Sequence, residues 1–150
     1  MSIRSIRRIL ALAAVVALSA CDGLTMTDGA PVAERLHQWR AQNLTDYRYD
    51  FQRTCYCSLT ARQAVTIEVH GGKVTSVTAR GGAAWAEGDP HVTWPTVEDL
   101  FKQIDDARAA GISPLVVRWD AGRGYPTYIE MGTLANDAGT VMNVGNLQPL

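Results

Sequence analysis

Cys55, Tyr56 and Cys57 form the only compact group of reactive side chains in the sequence. Two thiols at this spacing can form a disulfide bond, exchange with another thiol pair or bind a metal ion. We favour the disulfide, because the third cysteine, Cys21, has a different predicted role and leaves these two without another partner. Residues i and i+2 of a flat strand lie about 6.5–7 Å apart at Cα, at the long end of the disulfide range. The bond therefore requires a turn or bulge at Tyr56.

Redox and metal-handling roles stay open as alternatives for Cys55 and Cys57. A link forced into this spacing is more easily reduced, which favours a redox role, but the C-x-x-C spacing of thioredoxin-like enzymes is absent. A zinc or copper site needs further ligands, such as His70 or His91. Neither histidine lies at a distance along the sequence from the cysteines that is typical of such sites. The sequence therefore predicts no metal and no cofactor.

Patterns for nucleophilic catalysis are missing from the sequence. There is no G-x-S-x-G, and the glycine pairs at 71–72 and 81–82 lack the frame of a nucleotide-binding loop. Asp105 and Asp106 lie on the polar side of a predicted helix, where a solvated face explains them. We therefore predict a non-enzymatic module that binds a protein or a small ligand, or that supports an assembly of the cell envelope.

The aromatic residues suggest where such a module binds. Trp39 and Trp119 fall on apolar stripes and are predicted to lie in the core, and Trp94 is expected to pack beside the start of a helix. Trp85 stands alone in a polar, glycine-containing loop. Trp85 and Tyr125 are the candidate residues of a binding surface.

The first 20 residues have the pattern of a secretory signal peptide. Arg4, Arg7 and Arg8 form a basic segment, and an unbroken apolar run follows at residues 9–18. A run of about ten apolar residues fits a signal peptide, whereas a membrane-spanning helix needs about twenty. Residues 1–20 are therefore predicted to be removed, and residues 21–31 to form a flexible tether.

Ser19 and Ala20 directly before Cys21 resemble a bacterial lipobox. The resemblance implies that the Cys21 thiol is joined to a diacylglycerol, that the chain is cut before it and that the new amine is acylated. An ordinary signal peptide with a coincidental cysteine is the alternative. Asp22 resembles the enterobacterial signal for retention in the inner membrane, so we expect a lipid-anchored protein that faces the periplasm.

The charge of the mature chain bears on its partners. Removal of three of the 14 basic residues leaves 11 against 15 acidic side chains, a net charge near −4 on 130 residues. An acidic surface argues against binding to nucleic acid and against electrostatic attraction to anionic lipid. Two or three acyl chains hold a protein on a membrane essentially permanently, because each buried methylene contributes about 0.8 kcal/mol. The lipid is therefore expected to suffice as the anchor.

The first half of the mature chain predicts one helix and a meander of three strands. Apolar residues at helical spacing predict a helix over 32–43, and alternation predicts strands over 46–53 and 65–69. Gly71 and Gly72 indicate a hairpin, because a type I′ turn needs a positive φ at both central residues. The apolar spacing after the glycines breaks alternation, which predicts a bulge.

The second half repeats this order. Thr96 and Asp99 match a capping box at the start of a helix that ends near Gly111. Three further strands are predicted over 115–119, 128–131 and 140–147. Residues 32–150 are therefore predicted to form a single α+β domain, a mostly antiparallel sheet of about six strands with two helices in the order α-βββ-α-βββ.

The order of these motifs resembles an uncharacterised family of small exported bacterial domains, many of them lipoproteins. The likeness covers residues 34–149. Two features differ from the family: Asp120 is followed by Ala121 rather than proline, and an acidic cluster is reduced to Asn136-Asp137. The resemblance implies a module without an assigned activity. The motifs that carry it are Asp46-Tyr47-Arg48-Tyr49 leading to Cys55-Tyr56-Cys57, Gly72-Lys73-Val74, Leu100-Phe101 and Gly124-Tyr125-Pro126-Thr127.

Overall fold

Nine helices and strands follow one another in the parts of the chain that the structure, a computed structural model, describes: residues 31–82 and 92–150. They confirm a small domain with a six-stranded antiparallel sheet, and they add one short helix, α2, to the predicted order. The elements are α1 (Val32–Arg40), β1 (Tyr47–Cys55), α2 (Leu59–Arg62), β2 (Val65–His70), β3 (Lys73–Ala79), α3 (Val97–Ala109), β4 (Leu115–Trp119), β5 (Pro126–Met131) and β6 (Thr140–Pro149).

The strand order is β3-β2-β1-β6-β5-β4, and every neighbouring pair is antiparallel. Two local meanders, β1-β2-β3 and β4-β5-β6, therefore form the two halves of the sheet. They are joined in the middle by β1 and β6, the first and last strands of the sequence. This central pairing runs from Tyr47 opposite Pro149 to Cys55 opposite Thr140.

The β2–β3 hairpin has the predicted turn. Gly71 and Gly72 have φ angles of 56° and 71°, which suit glycine because no Cβ opposes them. Val69 then pairs with Val74, while Glu68 pairs with Ser76. The residue between these two partners is the extra one of a β-bulge, so the predicted bulge is confirmed.

One face of the sheet carries the hydrophobic core, which α1 and α3 cover. Alternate residues of β1 point into it, as their spacing predicts, and edge-to-face contacts link its rings: Trp39 contacts Tyr47 at 5.3 Å between ring centroids, and Tyr49 contacts Phe51 at 6.4 Å. The other fully buried large side chains are Phe101, Ile67, Leu100, Ile104, Ile129, Met142, Val65 and Val69.

The start of α3 is fixed by polar contacts from the rest of the core. Glu98 accepts a hydrogen bond from Trp39 Nε1 at 2.7 Å and one from the Tyr47 hydroxyl at 3.2 Å. The predicted capping box is confirmed: Thr96 Oγ1 accepts from the Asp99 amide at 3.1 Å, and the Asp99 carboxylate accepts from the Thr96 amide at 2.9 Å. Helix α3 is therefore locked to both α1 and β1.

Within the described residues, no helix has the length and apolar character that crossing a membrane requires.

Candidate functional site

A polar hollow lies on the face of the sheet opposite α1 and α3. It encloses about 220 Å³ above Gly145 of β6, which pairs with Asp50 of β1. A Cβ placed on Gly145 would meet no atom within 4 Å, so the missing side chain is what leaves the space. The residues with polar side chains among those that line the hollow are Asp50, Gln52, Arg80, Thr127, Asn143 and Asn146.

Asp50 is the anchor of one wall of this hollow. Its carboxylate accepts hydrogen bonds from Thr66 Oγ1 at 2.8 Å and Asn146 Nδ2 at 2.6 Å, and a guanidinium nitrogen of Arg80 lies at 3.2 Å. The Asp50 side chain is only 16% exposed, so these three partners satisfy a carboxylate that solvent barely reaches. The negative charge of Asp50 is therefore balanced by Arg80, and the wall is formally neutral.

The strand geometry aims Asn146 at Asp50. Asn146 has a φ of 52°, a left-handed conformation that asparagine tolerates better than most residues. A register shift in the β1–β6 pairing lies between Arg48 and Asp50, beside this position. Irregularities of this kind turn a side chain away from the direction that regular alternation would give it.

The other wall offers polar groups that are free to bind. Among the residues that the structure describes, the side chains of Gln52, Asn143 and Thr127 form no hydrogen bond with one another or with a neighbour. Gln52 pairs with Asn143 across the β1–β6 ladder, and Asn143 pairs with Tyr128 of β5. The hollow therefore has a fixed, neutral wall on one side and free amide and hydroxyl groups on the other.

Tyr128 extends this polar surface toward β4. Its hydroxyl donates to Glu130 at 2.8 Å, and this hydrogen bond raises the pKa of Tyr128. The guanidinium carbon of Arg118 lies 4.9 Å from the centre of the Tyr128 ring, a cation–π contact that holds the ring in place. The sheet thus offers a continuous polar face from β2 to β4.

Cys55 and Cys57 lie at one end of β1. The strand ends at Cys55, the chain bends at Tyr56, and the two sulfur atoms are in bonding contact with their Cα atoms 5.3 Å apart. This separation is well inside the disulfide range, and the bend at Tyr56 is the feature that a bond at this spacing requires. Cys55 is half-buried and Cys57 is exposed.

The structure does not bring the suggested metal ligand to this pair. His70 lies beside the other end of β1, where its Nδ1 is 3.1 Å from Asp46 Oδ1. Hydrogen bonds lower the pKa of Asp46, first that from Thr45 and then those from the Gly71 amide and His70. No cluster of three potential metal ligands occurs in the described ranges 31–82 and 92–150, and His91 lies outside them.

Of the two candidate binding aromatics, Tyr125 lies among the described residues, and it is buried. The prediction for Tyr125 is wrong: its side chain is only 5% exposed, and its ring packs edge-on against Trp39 at 6.3 Å. Trp85 and Cys21 lie outside the described residues. Trp39 and Trp119 are buried as predicted, and Trp94 is half-buried with its ring 6.1 Å from Phe51.

Sequence reasoning missed the hollow because it depends on the pairing of distant strands. The alternation of β1 places Asp50 and Gln52 on the polar face, and a glycine within a predicted strand is a known sign of a close approach or a bulge. Gly145 was such a sign. Only the register between β1 and β6 shows that Asp50 and Gly145 are neighbours.

The sequence matches the model of a family of unknown function, DUF6174, over residues 32–149. The chain belongs to this family. The match begins at the first residue of α1 and reaches the last residue of β6, so the DUF6174 domain contains every described helix and strand. No curated protein and no solved structure matches the chain. The family confirms the coarser part of the predicted resemblance, an uncharacterised domain.

Packing explains several motifs of this DUF6174 domain. The hydroxyl of Tyr49 donates to the carbonyl oxygen of Pro95, and that of Tyr47 accepts from the Val97 amide at 3.0 Å, so both tyrosines fix the start of α3. Gly124 lies against the backbone of α1, where a Cβ would come within 2.9 Å of the Arg35 carbonyl oxygen. These residues therefore stabilise the fold.

Proposed function

We propose that the protein is an exported lipoprotein whose DUF6174 domain binds a ligand without chemically changing it. Acyl chains on Cys21 hold it on the membrane, and residues 22–31 separate the lipid from the folded domain. The basic segment, the apolar run at 9–18 and the small residues before Cys21 support the anchor. The polar hollow supports the binding role.

The free groups around Gly145 are the observation that carries this binding role. A polar group that has no partner in the folded protein gains a hydrogen bond when a ligand supplies one. Gln52 and Asn143 each offer a donor and an acceptor, and Thr127 offers a hydroxyl. Because Asp50 and Arg80 balance each other, the hollow attracts neither anions nor cations strongly.

These properties define the chemical class of the ligand. A neutral molecule that presents several donors and acceptors at close spacing suits the wall of Gln52, Asn143 and Thr127. Hydroxyl and amide groups meet this description, and a saccharide with N-acetyl groups carries both. The volume of about 220 Å³ accommodates one sugar ring and leaves the rest of the molecule in solvent. The domain thus binds the end of a neutral glycan rather than enclosing it.

Filling the hollow tests this proposal. The probe is N,N′-diacetylchitobiose, and binding is measured by saturation-transfer NMR on the full-length protein. Gly145→Leu places a side chain in the open space without a backbone clash, because no atom lies within 4 Å of its Cβ. We expect the wild type to bind the probe and Gly145→Leu to bind it at least tenfold more weakly.

Thr54→Leu is the matched control, because Thr54 lies exposed on the same face of β1 but does not line the hollow. It adds the same side chain to the same strand pair and should leave binding unchanged. Thermal unfolding of all three proteins verifies that the fold is retained. Equal binding by the wild type and Gly145→Leu, or no binding by the wild type, would contradict the proposed ligand class.

A further inference from the structure

The Cys55-Tyr56-Cys57 motif is not explained by packing. The motifs at Tyr47, Tyr49 and Gly124 have buried roles in the fold, whereas this one ends in solvent. Tyr56 is 81% exposed, and Cys57 is exposed beside it. A disulfide across two residues also closes a very small loop, so it removes little entropy from the unfolded chain. Stabilising the fold therefore does not account for the pair.

The surroundings of the pair differ from those of an inert disulfide. Arg62 of α2 lines a depression of about 170 Å³ with Cys55, Tyr56 and Cys57. Arg53 lines a second depression of about 390 Å³ with the same residues. Two arginine side chains therefore line the depressions that adjoin the two cysteines, with the guanidinium carbon of Arg53 5.5 Å from the centre of the Phe51 ring. Positive charge next to a cysteine favours its thiolate, which is both the nucleophile and the leaving group in thiol–disulfide exchange.

Exposed apolar side chains give a partner a place to dock. Leu59, in the first turn of α2, is 71% exposed and lies two residues beyond Cys57. Together with Tyr56 it gives two large apolar side chains in solvent, close in sequence on either side of Cys57. An extended peptide can cover both and bring its own sulfur to Cys57.

We propose that Cys55 and Cys57 exchange disulfides with the dithiol of a partner protein. A partner thiolate attacks Cys57 Sγ, the bond to Cys55 breaks, and Cys55 leaves as a thiolate that takes a proton from water. The second partner thiolate then attacks the partner sulfur of the mixed disulfide and releases Cys57. The partner loses two electrons and two protons as its two thiols become a disulfide. Cys55 and Cys57 gain two electrons and two protons as their disulfide becomes two thiols. Exchange with a disulfide-bearing partner runs the steps in reverse.

The proposal does not depend on the ligand hollow, which lies elsewhere on the sheet. The test uses the oxidised full-length protein and a reduced peptide that contains Cys-Gly-Gly-Cys between leucines. Samples are alkylated at intervals, and peptide mapping by mass spectrometry follows Cys55 and Cys57 separately from Cys21. We expect the peptide to reduce the pair at least tenfold faster than it reduces glutathione disulfide, an unconstrained reference. A rate equal to or below that reference would overturn the proposal.

Three variants separate a working site from a disulfide that is merely exposed. Arg62→Gln should slow the reaction several-fold, whereas Arg48→Gln, at an exposed arginine on the polar face, should not. Gly145→Leu should also leave the rate unchanged, so failure of one site is distinguishable from failure of the other. Equal rates for Arg62→Gln and Arg48→Gln would overturn the role given to the charged surroundings.

A separate experiment tests which of the two cysteine sulfur atoms reacts with the partner. Cys55→Ser leaves the exposed Cys57 free, and Cys57→Ser leaves the half-buried Cys55 free. With the oxidised form of the same peptide, Cys55→Ser should form the mixed disulfide at least tenfold faster than Cys57→Ser. Similar rates, or faster trapping by Cys57→Ser, would overturn the assignment of Cys57 as the attacked sulfur. Circular dichroism of both variants verifies that the fold survives loss of the bond.

Discussion

Asp50 and Gln52 differ by two positions on one strand, yet only Gln52 is available to a ligand. The Asp50 carboxylate already accepts from Thr66 and Asn146 and faces Arg80, so its role is to hold the wall of the hollow in place. Gln52 has no partner among the described residues and is exposed. Binding at this site therefore relies on neutral groups oriented by a charged pair that is already satisfied.

The buried phenols of Tyr47 and Tyr49, at the other face of the sheet, predict how stability depends on pH. Burial raises the pKa of Tyr47 and of Tyr49 far above the usual value. A tyrosine in the unfolded chain ionises near pH 10, so below this pH both states hold the proton and the stability is fully present. Above pH 10 the unfolded chain loses protons that the folded chain keeps. The free energy of unfolding should then fall by about 1.4 kcal/mol per pH unit for each buried tyrosine.

Urea unfolding at intervals from pH 8 to 11 measures this slope. Tyr47→Phe removes one buried phenol and should make the decline shallower by about the contribution of one tyrosine. Tyr56→Phe, at a phenol that is 81% exposed, is the matched substitution. Identical slopes for the two variants would show that burial of Tyr47 does not control alkaline stability.

Helix α1 and the residues just after it are held to the loop between β4 and β5 by side-chain amides. Gln38 Nε2 donates to the carbonyl oxygens of Ala121 and Gly122 at 3.0 and 3.1 Å, and Gln42 Nε2 donates to that of Arg123 at 2.7 Å. Gly124 permits this approach, with a φ of 78° and no Cβ between the loop and the helix. The Gly-Tyr-Pro motif therefore joins the first helix to the second meander.

Gly124→Ala should disrupt this junction. A Cβ there would lie 2.8 Å from Gln38 Oε1 and 2.9 Å from the Arg35 carbonyl oxygen, in a left-handed conformation that alanine disfavours. The combined strain and overpacking should cost about 2–4 kcal/mol of unfolding free energy. Gly122→Ala is the control in the same loop, because its Cβ would meet nothing closer than 3.5 Å. Chemical denaturation compares them, and an equal loss in both variants would contradict the close-approach role.

Local patterns predicted most elements, because alternation and capping are properties of neighbouring residues. The β2–β3 hairpin, its bulge and the capping box at Thr96 all appear where the sequence indicates them. Helix α2 was missed, since its four residues are too few to show helical periodicity; the Ser58 side chain caps it by accepting from the Ala61 amide. The pairing of β1 with β6 joins opposite ends of the domain and leaves no local trace.

The direction of the Tyr125 side chain also could not be predicted from its neighbours in the sequence. Between Gly124 and Pro126 it has the setting of a loop aromatic, and the sequence offers no sign of which way its ring points. The Asp120 amide donates to the Tyr125 carbonyl oxygen at 2.8 Å and closes the loop, and the ring lies against Trp39 of α1. The candidate site is formed instead by residues that include Gly145, Asn143 and Asn146. Only the pairing of the strands brings these residues next to Asp50 and Gln52.

The lipoprotein proposed above uses separate parts of its chain for attachment and for binding. In this proposal the lipid at Cys21 would supply attachment, and the residues up to 31 would separate it from the domain. The domain would supply the polar face proposed for a neutral ligand and, at the end of β1, the sulfur pair proposed for exchange. If cleavage leaves the chain with an acidic net charge, as proposed, the acyl chains rather than electrostatic attraction would hold it on an anionic membrane.

Intact-mass spectrometry of the protein recovered from bacterial membranes tests the central claim, that this is an exported lipoprotein, most directly. We expect a chain that begins at Cys21 and carries the mass of a diacylglycerol and a third acyl chain. Cys21→Ser should abolish both the cleavage and the lipid, which controls for adventitious lipid. A protein that retains Met1, or that begins near residue 21 without lipid, would contradict the account.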